Sequence, residues 1–589
     1  MFQGHPKGLY VAFASNMGER YGFYTMMAVL VLYLQARFDL SVSQAGIIYS
    51  VFYFLMYGLT LLGGWIADQR MGLHRAILWG IMAKTAGYAI MMIPGIGLST
   101  TVAGLLITAV GNGFFKGNLQ AMVGNLYENS RYRHLRDSGF SIFYMGINIG
   151  AFFAPGTATL MRNWYLNSHG LSYDSSLPAQ CHQYIASLAS GAPFDTEGFA
   201  EMASRVSGSL PADLEAFAHQ YINVFSTGYN LAFAVAAGAM LLSLAAYVFF
   251  SKHLRTPETV GTEAGADVKA EGPTEPGRTG LKEKPELEGR ATLEERTSLE
   301  RRTSLEERTY ADRDRQRMVA LGWILLVVVF FWMSFHQNGL TMTFFARDYT
   351  VQQVDRLNYL LFDVRSVIAL ATVAGGLVLL LRRRLRPVLR LAGGALITGG
   401  GLALVWQYHR FEPWMTLDPE IFQQFNPIFV VACTPLVVGL FSYLNKRGKE
   451  PSAPRKIGIG MLLSAVSFLV LLFCSIGLPA PGELDAAGSP DRVSPYWLFW
   501  SYFIITWGEL FLNPMGISFV SRIAPARFRG LSQGLWLCSI AVGNQLLFVG
   551  SSLWERLELW QVWFIFVACC LLSATILFAL SRKFERYTA

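Results

Sequence analysis

The segment Asn16-Met17-Gly18-Glu19-Arg20-Tyr21-Gly22-Phe23-Tyr24 puts an amide, an acid, a base and phenols inside an apolar run from about Tyr10 to Leu34. A run of that length spans a bilayer. An ionised side chain at mid-membrane depth costs roughly 2.5–3.5 kcal/mol on insertion scales, so a span keeps one where it faces a polar cavity, a partner or a substrate. Asn16, Arg20 and Tyr24 recur at i, i+4 and i+8 and share one helix face, with Glu19 beside it. A guanidinium on that face can grip a carboxylate through two parallel hydrogen bonds, which suits an anionic, hydrogen-bonding ligand. For Glu19, a structural ion pair tying helices together stands equally open.

Other spans carry similar residues. Lys116 sits in Gly111-Asn112-Gly113-Phe114-Phe115-Lys116-Gly117-Asn118, about ten residues before the next polar loop, which is far for a snorkelling lysine. Its glycines allow close helix approach. Tyr144 and Asn148 stand at i, i+4 in Phe143-Tyr144-Met145-Gly146-Ile147-Asn148, where interhelical hydrogen bonding alone is also a sufficient role. His336 ends Phe331-Trp332-Met333-Ser334-Phe335-His336-Gln337, and a packed neutral imidazole is its commoner fate. Glu509 lies in Gly508-Glu509-Leu510 within an apolar run, so it must be protonated, paired or facing water. Arg20 and Lys116 come from the first half of the chain and Glu509 from the second. A cavity between the halves would be cationic on one wall and anionic on the other, which suits a zwitterion with its carboxylate towards Arg20 and Lys116 and its ammonium towards Glu509.

The elements that position these residues are apolar helices. Of 589 residues, 53% are hydrophobic and 15% charged; a soluble protein would carry about 25% charged residues. The net charge of +8 does not mark a nucleic-acid binder, because the basic residues cluster in short loops between apolar segments. About fourteen helix-length spans lie near 10–34, 43–67, 74–94, 99–127, 138–162, 226–251, 316–345, 364–381, 387–407, 420–444, 456–478, 495–521, 530–553 and 560–581. Arg70 and Arg75, Arg131 to Arg136, Arg382 to Arg386, Lys446 to Lys456, Arg522 to Arg529 and Arg582 to Arg586 all fall on one side of such a path, and the loops 94–100 and 479–494 on the other side are nearly free of basic residues. Positive charge marks the cytoplasmic side, so both termini are expected there.

Residues 1–251 form a first six-span unit with an outside loop, 163–225, long enough to fold as a small cap. A polar linker follows at 252–315, rich in Pro, Gly, Glu and Arg and expected to be disordered. Residues 316–589 form a second unit, in which the hairpin 364–407 is a peripheral addition to a twelve-helix plan. Two units joined by a linker predict an all-α membrane protein whose bundles rock around a central site. No convincing nucleophile–base pair, metal-ligand spacing or phosphate loop points to an enzyme, a metal or a cofactor, and the cysteines form no disulfide framework.

Several segments resemble the proton-dependent oligopeptide transporter family of the major facilitator superfamily. Glu19-Arg20-Tyr21-Gly22-Phe23-Tyr24 is similar to the family's E-x-x-E-R-F-x-Y-Y; Gly63-Gly64-Trp65-Ile66-Ala67-Asp68 is similar to its motif after the second helix; Gly111, Gly113, Lys116 and Asn118 fit Gly-x-Gly-x-x-Lys-x-Asn; Phe143 to Gly150 fits F-Y-x-x-I-N-x-G; and Phe422 to Pro427 and Gly508-Glu509-Leu510 match in the second half. The resemblance implies two six-helix bundles plus the hairpin, and import of di- and tripeptides across the cell membrane by alternating access, with protons as the coupling ion. It implies that Arg20 and Lys116 bind the peptide carboxylate, that Asn148, Asn426 and Glu509 hold its amino terminus, and that Tyr24, Tyr57, Tyr144, Trp332 and Trp536 shape side-chain pockets. The sequence departs from the family where Asn16 replaces the motif's first glutamate, where His336 replaces an acid before a glutamine, and in the placement of the hairpin. Proton coupling is then expected at Glu19, Glu509 and His336. The rival readings are transport of another small zwitterion or anion, such as an amino acid or nitrate, and facilitation without proton drive.

Overall fold

The computed structural model describes residues 4–128, 131–254, 315–381, 387–484, 489–523 and 529–588. Residues 255–314, most of the expected linker, lie outside the described residues.

The apolar spans are helical where the sequence placed them. In chain order these are α1 (Lys7–Phe38), α2 (Val42–Ile66), α3 (Leu73–Met91), α4 (Leu98–Asn125) and α5 (Arg136–Ser168), then two short helices α6 (Leu177–Ser190) and α7 (Thr196–Ser207), and α8 (Leu214–Phe250). The second half holds α9 (315–335), the short α10 (Thr341–Asp348), α11 (Val364–Leu381), α12 (Pro387–Arg410), α13 (Phe425–Lys446), α14 (Ala453–Cys474), α15 (Tyr496–Ile523), α16 (Arg529–Gln545), α17 (Phe548–Trp554) and α18 (Leu559–Thr588). Among the described residues, ten helices are long and apolar enough to cross a membrane by length and composition. A helix that is apolar on every face is one buried in protein or lipid.

Local signals explain several boundaries. Asp39 ends α1 in the left-handed conformation, its N–H closing on the Gln35 carbonyl. Ser41 and Gln44 then cap α2 reciprocally. The seventh span is broken rather than continuous to 345: a 3₁₀ turn at His336–Gly339 separates α9 from α10. There Gln337 turns its amide to the Leu547 carbonyl at 3.2 Å and accepts from Thr341 at 2.9 Å. The thirteenth span likewise divides into α16 and α17. The loop 163–225 is largely helical: α5 and α8 extend into it, and α6 and α7 bury Leu177, Cys181, Phe199 and Val206 against Phe217 and Tyr221.

The first-half helices pack together, α1 on α5 and α8, α3 on α4 and α8, and α2 on α4. In the second half, α14 lies between α15 and α18, and α13 packs on α15. The two groups meet where α2 contacts α16 and α17, and where α5 contacts α13 and the 3₁₀ turn Pro419–Gln424. The hairpin α11–α12 closes tightly on itself at Gly376 and Gly393, and 17% and 11% of its two apolar windows are buried. A two-stranded antiparallel pair, β1 (Gln353–Asp355) with β2 (Trp414–Thr416), clamps the chain before and after that hairpin. It is a small departure from an all-α fold.

Candidate substrate-binding site

The α1 face read from sequence lines one cavity of roughly 510 Å³ between the two helix groups. Asn16, Arg20 and Tyr24 are on its wall with Tyr57 of α2, Lys116 of α4, and Tyr144 and Asn148 of α5. The second half contributes Trp332 of α9, His336, Asn426 of α13, Glu509 of α15 and Trp536 of α16. The ten residues expected to touch substrate therefore surround a single space. Tyr49, Tyr53, Gln120, Asn338, Gln423 and Asn513 also line it and were not singled out from sequence.

Glu19 does not line the cavity. It is fully buried behind Arg20, which donates to it through Nε and Nη2, both at 2.6 Å. A second cation, Lys84 of α3, pairs with the same carboxylate and donates to Asn112 Oδ1 at 3.1 Å. Asn112 Oδ1 also accepts from Arg20 at 3.1 Å, while its Nδ2 donates to the Met56 carbonyl at 2.6 Å. Glycine makes this cluster possible. A Cβ on Gly80 would come 2.7 Å from the Phe115 nitrogen, and one on Gly111 would come 2.6 Å from the Lys84 nitrogen. Only bare backbone lets α3 and α4 approach closely enough to bring Lys84 to Asn112 and Glu19. Lys84 was missed in the sequence reading, although a lone lysine inside the span 74–94 carries the same signal as Lys116.

Lys116 has no carboxylate partner among the described residues; its ammonium stands 3.8 Å from the centre of the Tyr57 ring. Quadrupole attraction holds a cation there without neutralising it. Across the cavity, Glu509 accepts from Asn426 Nδ2 at 3.0 Å, and Asn426 also donates to Thr506 Oγ1 at 3.0 Å. Asn148 donates to the Tyr144 carbonyl of its own helix at 3.2 Å. Asn16 ties α1 to α5 through the Phe143 carbonyl at 3.3 Å. His336 Nδ1 lies 2.5 Å from Asn544 Oδ1, and its ring stacks on Trp332 and meets Tyr53 edge-on.

A second ionic cluster closes the end of the molecule where α1 and α5 finish. Arg162 of α5 is fully buried and pairs with both Asp418 and Glu420, which enter from the second half just before α13. Tyr229 donates to Glu420 Oε1 at 2.9 Å, Asn163 Nδ2 donates to Asp418 at 3.3 Å, and the guanidinium lies 3.7 Å from the Tyr173 ring centre. Glu420 Oε2 is buried with no hydrogen-bond partner among the described residues. Asp418 stands just before the apolar span 419–446; burial lifts its carboxyl to about 6, Arg162 holding it down and Glu420 adding to the rise. At the same end, Gln423 donates to the Ala28 carbonyl at 3.3 Å, Arg347 to Gln35 at 2.7 Å, and the Val42 N–H to Glu555 at 3.1 Å. The cavity extends the other way, to Gln120 and Phe140. Arg162 carries no signal of this role in the sequence, because it ends an expected span, where arginine usually reaches water.

Two groups of apolar helices around a charged cavity sealed at one end define a multi-pass membrane protein of the transporter class. Comparison with known proteins gives the family: the POT family model matches residues 74–406 and 405–561, and the chain belongs to that family. It is 26% identical over 558 residues to the peptide transporter YePEPT of Yersinia enterocolitica, covering 92% of this chain and 87% of that one. It is 23% identical over 539 residues to the dipeptide and tripeptide permease A of Escherichia coli, covering 92% and 82%. The fold matches a crystal structure of a POT family transporter in complex with 5-aminolevulinic acid, with a TM-score of 0.63 at 18% identity over 99% of this chain and 98% of that one. It also matches the crystal structure of a peptide transporter POT in complex with sulfate, with a TM-score of 0.62 at 23% identity over 100% and 96%.

Proposed function

We propose that this protein carries di- and tripeptides across the cell membrane by alternating access, with protons as the driving ion and both termini on the cytoplasmic side. The observation that carries the reading is the pair of opposed walls around one cavity. Arg20 and Lys116 face it from the first half, and Glu509 with Asn426 from the second. A peptide carboxylate satisfies the first wall and a peptide ammonium the second, so substrate bridges the two helix groups whose relative motion transports it. Relatives named as peptide transporters and as di- and tripeptide permeases support the same substrate class. With the Arg162 end closed and the cavity running towards Gln120 and Phe140, the arrangement corresponds to an inward-facing form.

In this reading Arg20 and Lys116 hold the carboxylate, Asn148, Asn426 and Glu509 hold the amine, and Tyr24, Tyr57, Tyr144, Trp332 and Trp536 shape the side-chain space. Glu509 is the acid on the cavity wall and the foremost carrier of a coupling proton. Glu19 is occupied by two cations, and His336 is engaged by Asn544. The neutral Asn16 favours one rival, a facilitator that moves peptide without protons. Uptake of labelled dialanine into proteoliposomes, with and without an inward proton gradient, separates the two. Accumulation above equilibrium only with the gradient supports coupling, and equal uptake to equilibrium in both cases supports the facilitator. His336→Gln that keeps the full pH dependence of uptake removes His336 from the coupling scheme.

A further inference from the structure

The charges around the central cavity do not balance. With Glu509 ionised, the described residues place three basic groups on or directly behind its wall, Arg20, Lys84 and Lys116, against two acidic ones, Glu19 and Glu509. Glu19 is shared between Arg20 and Lys84, so its single charge cannot neutralise both. Arg20 uses Nε and Nη2 on Glu19 and Asn112, and Nη1 makes no hydrogen bond among the described residues. Among the described residues, Lys116 meets the face of a tyrosine ring and no carboxylate. Glu509 is held by amides rather than by a cation. Two further wall positions bring no acid: Asn16 donates its amide to a backbone carbonyl, and His336 is bonded to Asn544. The opposite imbalance at Arg162, Asp418 and Glu420 lies beyond the cavity wall, and none of those three residues lines it.

We infer that the central site selects substrates with one carboxylate more than they have ammonium groups, such as a dipeptide with an acidic side chain. The inference rests on the peptide-transport reading and adds a charge class to it. A zwitterionic dipeptide adds no net charge and leaves one positive charge enclosed among apolar helices. A substrate with an extra carboxylate cancels it and supplies the missing partner of Lys116. A cationic side chain doubles the excess. One unit of charge acting over ~10 Å at an effective dielectric of about 20 corresponds to roughly a tenfold difference in affinity. Discrimination of this kind comes as much from penalising the wrong charge as from gripping the right one.

The test is equilibrium binding to the purified full-length protein of three dipeptides differing only in side-chain charge: Ala-Glu, Ala-Ala and Ala-Lys. Ala-Glu is expected to bind about tenfold more tightly than Ala-Ala, with Ala-Lys weakest. Lys84→Met removes one positive charge without altering the cavity wall and leaves Glu19 paired with Arg20. It is expected to bring Ala-Glu and Ala-Ala within about twofold of each other and to improve Ala-Lys. Asn16→Asp, which adds an acid on the wall, moves the preference the same way and stands in if Lys84→Met does not fold. Equal binding of all three peptides to the unaltered protein, within about twofold, overturns the charge selection while leaving peptide transport intact. Failure of all three to bind overturns the peptide reading and the inference with it.

Discussion

The two buried ionic clusters are inversions of each other. Beside the central cavity, two cations share one acid: Arg20 and Lys84 on Glu19. At the sealed end, two acids share one cation: Asp418 and Glu420 on Arg162. The first lies wholly within the first-half helices and borders a cavity, so its excess charge is available to a ligand. The second joins residues 256 and 258 positions apart, across the two helix groups, and one of its carboxylate oxygens, Glu420 Oε2, has no hydrogen-bond partner among the described residues. An excess of charge beside a cavity serves binding; an excess sealed between moving parts sets how firmly they stay shut.

Removing the lone shared partner should separate the clusters most sharply. Arg162→Met strands two carboxylates in a dry interface, and breaking a buried pair in this way costs about 3–5 kcal/mol. Thermal unfolding in detergent should show a large loss of stability, recovered when Asp418→Asn and Glu420→Gln are added. Arg20→Ala should do the reverse. Glu19 keeps Lys84, so stability changes little, while dipeptide affinity falls by about 2–5 kcal/mol, roughly thirtyfold or more. An Arg20 variant that unfolds, or an Arg162 variant that is stable but does not bind, would break the comparison.

The sealed end also carries a pH signature. Asp418 lies above its ordinary value of 3.8, at about 6, because burial disfavours its charge. When the end opens, water restores the ordinary value. The closed form therefore binds a proton more tightly than the open form, and closure is favoured as pH falls through about 6 and weakened as it rises. Between pH 7.5 and 5 the ratio of closed to open should rise about tenfold, read by spin-label distances across that end, and Asp418→Asn should flatten the response. The smallest expected effect is at Tyr57. Tyr57→Leu removes the ring beneath Lys116 and should weaken dipeptide binding about two- to fivefold, whereas Tyr57→Phe keeps the ring and the affinity.

Helix positions were legible because lipid-length apolar runs leave few alternatives. The face Asn16–Arg20–Tyr24 was legible because helical periodicity fixes which side chains share a side, and all three line the cavity. What stayed hidden depends on contacts between distant segments. That Lys84 meets Glu19 follows from the close approach of α3 and α4 at Gly80 and Gly111, which no local pattern encodes. That Arg162 is buried rather than snorkelling follows from two acids more than 250 residues away. The turn at His336–Gly339 was within reach of the sequence, since His-Gln-Asn-Gly is a polar, glycine-ended break in an apolar run, but the Gln337 bond to the Leu547 carbonyl that accompanies it was not.

The opposed walls make the most direct demand on the substrate's two ends. Competition for labelled dialanine uptake into proteoliposomes should be measured with dialanine itself, its N-acetylated form and its C-amidated form. If Arg20 and Lys116 take the carboxylate and Glu509 with Asn426 takes the ammonium, each capped peptide competes at least about tenfold less well than dialanine. Capped peptides that compete as well as dialanine would contradict that assignment of the two walls.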